Sequence, residues 1–408
     1  MKRYGYWLIA GLLCLGAVAH AQEQKAEDYV QAAIADLQQK TGKAPQPQEI
    51  VDALSNRVVE IYQKGDYPTS IAVAEQTYRF AEQKLGPEHP DTLTSVNNLA
   101  GLYQVQGRYG EAEPLYRRAL AASEKVLGPE HPNTLASVNN LAGLYDSQGR
   151  YGEAEPLFRR ALAASEKVLG PEHPNTLTSV NNLAGLYRAQ GRYGEAEPLF
   201  RRALATSEKV LGPEHPNTLT SVNNLAALYD SQGRYGEAEP LYRRALAARE
   251  KVLGPEHPNT LTSVNNLAGL YRAQGRYGEA EPPFRRALAA REKVLGPEHP
   301  TTLSTQLNYT VTLVNLKQPK SALQLLERME PRLLELAALQ LRHTQQESVR
   351  RMFLTGQANF QDVVLTLALN HPEPDFLDLA AKVMLRWKQI QGEEEAFLAR
   401  LVRRRSEK

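Results

Sequence analysis

Six Glu-His pairs, Glu88-His89 through Glu298-His299, are the residues of this chain best suited to chemistry, each inside the string GPEHP. Imidazole and carboxylate ligate transition metals, but a site needs three or four donors within about 2–2.3 Å of one ion. One pair falls in every 42 residues, on successive loops that do not converge. We therefore expect each histidine and the proline after it to shape a turn, with no metal and no other cofactor held. The Arg-Arg pairs, Arg117-Arg118 and its copies to Arg285-Arg286, could form a basic stripe. Glu113 lies four residues before Arg117, however, and Glu124 and Lys125 come after it. Pairs at that spacing contribute roughly a few tenths of a kcal/mol and decorate a solvated face.

Constellations for catalysis are missing from the sequence. It has no phosphate-cradling glycine loop, no HExxH, no GxSxG and no acidic calcium loop. The single cysteine, Cys14, sits in an apolar N-terminal run, so the chain beyond that run has no thiol to act as nucleophile, disulfide partner or ligand. No enzyme is expected.

The 408 residues carry 48 basic and 46 acidic side chains. With Lys2 and Arg3 set aside the balance is even, which argues against a nucleic-acid partner, since that binding rests on excess positive charge. Lys2 and Arg3 precede an apolar run from Tyr6 to Val18, closed by Ala19-His20-Ala21. A charged start, a short apolar region and small residues before a cleavage point read as an export signal over residues 1–21. The run is short for a membrane span, which wants about 20 residues; an uncleaved anchor is the alternative. A periplasmic or secreted protein is expected, with no membrane contact once the signal is cleaved.

The elements that must position any site come from a repeat. GPEHP begins at Gly86, Gly128, Gly170, Gly212, Gly254 and Gly296, in steps of 42 residues. Leu177, Val180, Leu183, Ala184 and Tyr187 recur at three- and four-residue steps, the mark of an amphipathic helix. Gln190-Gly191-Arg192 interrupts it, with Gly191 suited to a left-handed turn. A second set, Tyr193, Ala196, Phe200, Ala203, Leu204 and Val210, repeats the helical spacing up to Gly212. The small residues Ala184, Ala196 and Ala203 let backbones approach, and the large ones fill the space between. Each unit is a helical hairpin that cannot hide its apolar face alone, so stability comes from stacking.

The pattern Asn-Leu-Ala-x-x-Tyr, Gly-x-Tyr, Ala, Phe/Tyr, Ala resembles the tetratricopeptide repeat, and the 42-residue length with NNLA-LY, EAEPL and GPEHP resembles its kinesin-light-chain subtype. Val180 and its equivalents stand where the family has tryptophan, and Ala184 where glycine is common. The resemblance implies an all-α superhelix, or α-solenoid, of stacked hairpins with a concave groove that takes a protein or peptide. It places Thr178, Asn181, Gly185, Arg188 and Ala189 on that groove. The second position is Asn97, Asn139, Asn181, Asn223 and Asn265; the third is Gly101, Gly143, Gly185, Ala227 and Gly269. The fourth reads Gln104, Asp146, Arg188, Asp230 and Arg272. Asparagine both donates and accepts, so it can hold an extended peptide backbone, and the small column leaves room for it. Alternatively the asparagines bond neighbouring helices, the role expected of the adjacent row from Asn98 to Asn266.

The expected organisation is a signal at 1–21, an N-terminal helix (Ala26 to Gln39) and linker (Gly42 to Gln48) within 22–48, and a degenerate first repeat at 49–91. Five full repeats come next at 92–295, then a degenerate last one at 296–330, and a C-terminal helical region at 331–408. In that region Leu333 to Leu341, Val363 to Leu369 and Phe376 to Trp387 suggest helices. Met384 to Arg404 is similar to the connector of bacterial repeat proteins that carry a caspase-like CHAT domain. Two functions are therefore expected: a noncatalytic scaffold binding a protein or peptide, or the sensor part of a CHAT-type peptidase whose catalytic domain this chain lacks. Pro282-Pro283 replaces the Pro-Leu of other copies, removing an N–H and a core leucine, so the second helix of the fifth repeat should start loosely.

Overall fold

The computed structural model describes residues 29–63, 66–297, 299–330, 363–365, 368–370, 373–385 and 388; within these there are helices and no strand. After α1 (29–41), hairpins alternate a first and a second helix. The first helices are α2 (Pro47–Gln63), α4 (Pro90–Val105), α6 (Pro132–Ser147), α8 (Pro174–Ala189), α10 (Pro216–Ser231), α12 (Pro258–Ala273) and α14 (Pro300–Asn315). The second helices are α3 (Tyr67–Leu85), α5 (Tyr109–Leu127), α7 (Tyr151–Leu169), α9 (Tyr193–Leu211), α11 (Tyr235–Leu253) and α13 (Tyr277–Val294). Beyond them lie α15 (319–330) and, in the tail, α16 (374–385). The linker is shorter than expected, because α2 already starts at Pro47. The export signal, the helix expected at Leu333 to Leu341 and most of Met384 to Arg404 lie outside the described residues. Among the described residues no helix is long and apolar enough to cross a membrane.

Two compact units divide the chain, Met1–Leu144 and Tyr145–Lys408. In the first, α2 packs on α3, α3 on α4 and α4 on α5; in the second, each of α7 to α14 packs on the next.

The repeat sets its own boundaries. His173 has extended backbone and its Nδ1 accepts the N–H of Asn175 at 3.1 Å, an N-cap followed by Pro174 at the first helical position. The same cap recurs at His89, His131, His215, His257 and His299. The turn after α8 needs φ 73° at Gly191, and α9 ends at Gly212 with φ 89°, both natural for glycine. Between hairpins, buried Thr218 of α10 donates from its hydroxyl to the Ser207 carbonyl of α9 at 3.2 Å.

Leu177, Val180, Leu183, Ala184, Tyr187, Ala196, Phe200 and Ala203 are buried as their spacing predicts, each large one contributing on the order of 1.5–3 kcal/mol. Three assignments change. Tyr193 and Leu204 are only half-buried, and Val210 is 43% exposed, because the last turn of α9 runs past the neighbouring helices. Leu186 and Ser207 are buried instead. The leucine that Pro283 replaces is likewise no core residue: Leu115, Leu157, Leu199 and Leu241 are half-buried. α13 begins at Tyr277, in register with its copies, so the extra proline does not delay the helix.

The last hairpin and the tail share one core. Leu313, Leu326 and Met329 pack with Val364, Ala368, Phe376, Leu379 and Val383. The tail helices thus cover the end of the array rather than starting a separate layer.

Candidate functional site

In the second unit the first helices approach one another: α8 touches α10, α10 touches α12 and α12 touches α14. Successive second helices stay farther apart, so the first helices form the inner side of the curve. Their exposed sides carry the asparagine, glycine and charged columns at i, i+4 and i+7, one helical face.

Many of the described arginines pair with glutamate, within a helix or across to the preceding hairpin. Arg192 bonds Glu195 at 2.7 Å within its helix start and Glu155 of the preceding hairpin at 2.6 Å, with its guanidinium 4.2 Å from the Tyr187 ring. Arg234 and Arg276 copy this geometry. Of the Arg-Arg pairs, Arg201 bonds Glu197 and Arg202 bonds Glu166. Those pairs are structural, as the neighbouring glutamates suggest.

The charged column behaves differently. Asp146, Arg188, Asp230 and Arg272 are half-buried and alternate in sign along α6, α8, α10 and α12, yet among the described residues none of them makes an ion pair. Burial raises the Asp146 carboxyl, opposed by Arg188, and raises Asp230, opposed by Arg272 and Arg188. Burial also lowers Arg272, with Tyr277 and Asp230 opposing. These charges act on one another without closing an ion pair. Beside them the glycines leave space: a Cβ built at Gly143, Gly185 or Gly269 would meet nothing within 4 Å. Gly101, in the first unit, is tighter, with the Tyr116 hydroxyl at 3.4 Å.

The asparagine column divides along the chain. Asn97 donates from Nδ2 to the Leu93 carbonyl at 3.1 Å and to Ser137 Oγ at 3.0 Å. Asn139 donates to the Leu135 carbonyl at 3.1 Å. Asn181 donates to Leu177 at 3.0 Å and to Ser221 Oγ at 3.1 Å, and accepts from Asn224 at 3.4 Å. Asn97 and Asn181 thus tie one first helix to the next. Asn223 only accepts, from Asn266 at 3.1 Å, and Asn265 has no partner among the described residues, its Oδ1 buried and unsatisfied. Repeat-by-repeat identity of sequence hid this difference, because its cause lies on the second helices.

The cap occupies Nδ1 of each histidine, and among the described residues no three or more His, Cys, Asp or Glu side chains converge on a point. The burial of His299 and the nearby Arg291 hold its pKa down at about 4.

The family model for the tetratricopeptide repeat matches residues 92–167, 147–206, 178–251, 232–293 and 265–333. No curated protein matches the chain. Among solved structures, it is similar to kinesin light chain-like, nearly identical TPR-like repeats from Podosopora anserina. There the identity is 37% over 50% of this chain and 97% of that one, with a TM-score of 0.42. It is also similar to BtubC (BKLC) from P. vanneervenii, at 27% identity over 56% and 90% of the two chains, with a TM-score of 0.42. A Rap protein complexed with competence and sporulation factor is similar over 92% of this chain and 98% of that one, at 13% identity and a TM-score of 0.51. That likeness concerns the fold alone.

Proposed function

The chain belongs to the tetratricopeptide repeat family, and from that premise we propose that it is an exported, noncatalytic scaffold holding an extended segment of a protein partner on the face of its first helices. The observation that carries this reading is the column Asp146, Arg188, Asp230 and Arg272, whose half-buried charges make no ion pair among the described residues, beside open space at Gly185 and Gly269. Desolvated charges are costly to leave unpaired, and alternating sign favours a segment whose own charges alternate. Many modest contacts along such a face give useful affinity without a deep pocket. Export rests on Lys2, Arg3 and the apolar run to Val18; a native N-terminus at Gln22 is its check.

Filling the open space tests the face. Gly185→Tyr with Gly269→Tyr replaces two helical glycines, which raises helix propensity by up to about 1 kcal/mol at each position, where the new Cβ meets nothing within 4 Å. Dodecapeptides selected from a random phage-displayed library on the unaltered protein should lose binding to the double variant while its Tm holds or rises. Equal binding by the variant would show that the peptides, and the function, use another surface.

A further inference from the structure

Arg249 and Arg291 stand where the earlier second helices carry Ser123, Ser165 and Ser207. They are only 5% and 6% exposed, and neither forms an ion pair among the described residues. Each guanidinium reaches between two first helices. Arg249 Nη1 donates to the Asn259 carbonyl at 3.1 Å and to Ser263 Oγ at 2.9 Å, and its Nη2 donates to Thr220 Oγ1 at 3.3 Å. Arg291 does the same with the Thr301 carbonyl, Thr305 Oγ1 and Thr262 Oγ1.

One of those acceptors in each set, the Ser263 or the Thr305 hydroxyl, is the one the asparagines use upstream. Asn97 and Asn181 bond Ser137 and Ser221, the counterparts of Ser263 and Thr305 one or more repeats earlier. Ser137 in turn donates to the Asn133 carbonyl, the counterpart of the Asn259 carbonyl that Arg249 takes. A charged donor competes well for such oxygens. Where the arginines enter, Asn223 and Asn265 lose both the serine contact and the bond to their own helix that Asn97, Asn139 and Asn181 keep.

We propose that Arg249 and Arg291 are positioning residues that free the side-chain NH2 groups of Asn223 and Asn265 from donating to the first helices, making the stretch from α10 to α14 the part of the face that hydrogen-bonds a peptide backbone. This rests on the proposed peptide-binding role of that face. It separates one column into two jobs: Asn97 and Asn181 hold helices together, and Asn223 and Asn265 hold the bound segment. The Asn97, Asn139 and Asn265 Oδ1 atoms are alike buried and unsatisfied, so the difference lies in the NH2 groups, and those freed at Asn223 and Asn265 suit a backbone carbonyl.

The test uses Arg249→Ser with Arg291→Ser, which installs the residue three other repeats carry and so should fold. The probe is one synthetic, fluorescein-labelled dodecapeptide recovered from the selection above, titrated by anisotropy in a double-mutant cycle with Asn223→Ala and Asn265→Ala. Either pair of changes should weaken binding about tenfold, and combining them should weaken it no further, because the arginines act through the asparagines. In parallel, the Asn223 and Asn265 side-chain NH2 resonances should gain protection from solvent exchange in the serine variant. Binding within twofold of the original in the serine variant, or additive losses in the cycle, would overturn the proposal. If the Gly185→Tyr and Gly269→Tyr variant abolishes binding in the same assay, such a failure belongs to the arginines alone. If that variant also binds normally, the face itself is wrong.

Discussion

At the scale of single residues, one histidine cap ties the fold to pH. A capping imidazole must be unprotonated at Nδ1 to accept the N–H two residues on, and His299 makes this demand in a buried place. Its Nδ1 accepts the Thr301 N–H at 3.0 Å, while burial and then the Arg291 charge press its pKa down to about 4. In the unfolded chain the imidazole titrates near 6.5. The unfolded state therefore binds the proton more readily between those values, and stability is full above about pH 6.5 and falls as pH drops toward about 4. Linkage caps the loss at roughly 3 kcal/mol. His299→Asn keeps a capping oxygen that does not titrate, so Tm plotted against pH should fall less steeply for the variant across that window. Parallel curves would mean the His299 cap is not coupled to folding.

At the scale of elements, the sequence was informative wherever one residue acts within its own hairpin. The periodicity of Leu177 to Tyr187 and the glycine at Gly191 gave helices and a turn in their observed places, since backbone hydrogen bonding and glycine's freedom at positive φ are local matters. Val210 and Leu204 were misjudged because periodicity says which face an apolar residue shares, not how far the neighbouring helix extends to cover it. The candidate site was legible as columns, but the release of Asn223 and Asn265 was not. Its signal was present as Ser207 giving way to Arg249, in a copy otherwise almost unchanged. α13 offers a test of local reasoning. Pro283 removes the N–H that would bond the Glu279 carbonyl, yet the half-buried position asks little of packing. Pro283→Leu should restore that bond and stabilise by about 1–3 kcal/mol, with slower amide exchange over Phe284 to Leu288. Unchanged Tm and exchange would show that the helix start already absorbs the proline.

At the scale of the whole molecule, a stack of hairpins is as stable as its neighbour-to-neighbour interfaces, so its ends are its weak points. In the second unit the C-terminal end is closed by the tail: Phe376, Leu379 and Val383 join Leu326, Met329 and Leu313 in one core. The terminal hairpin also departs from the repeat in what it buries. Gln306 replaces the valine of other copies and donates to the Leu325 carbonyl at 2.8 Å, and Thr310 and Thr312 are buried where the preceding copy has Ala268 and Leu270. So polar an interior gains less from burial, which makes the apolar tail contact matter more there than in the uniform repeats. Phe376 is 5% exposed, and truncating a phenylalanine so placed costs about 3–5 kcal/mol. In a quasi-one-dimensional array that loss stays near the end where it is made. For Phe376→Ala, amide exchange should therefore accelerate in α14 and α15 by several orders of magnitude while α8 and α9 remain close to the original. Because the proposed ligand-bonding stretch runs from α10 to α14, the same variant should weaken the selected dodecapeptide before it unfolds the unit. Uniform acceleration along α8 to α15 would instead make this unit a single cooperative body, with its binding face and its end cap inseparable.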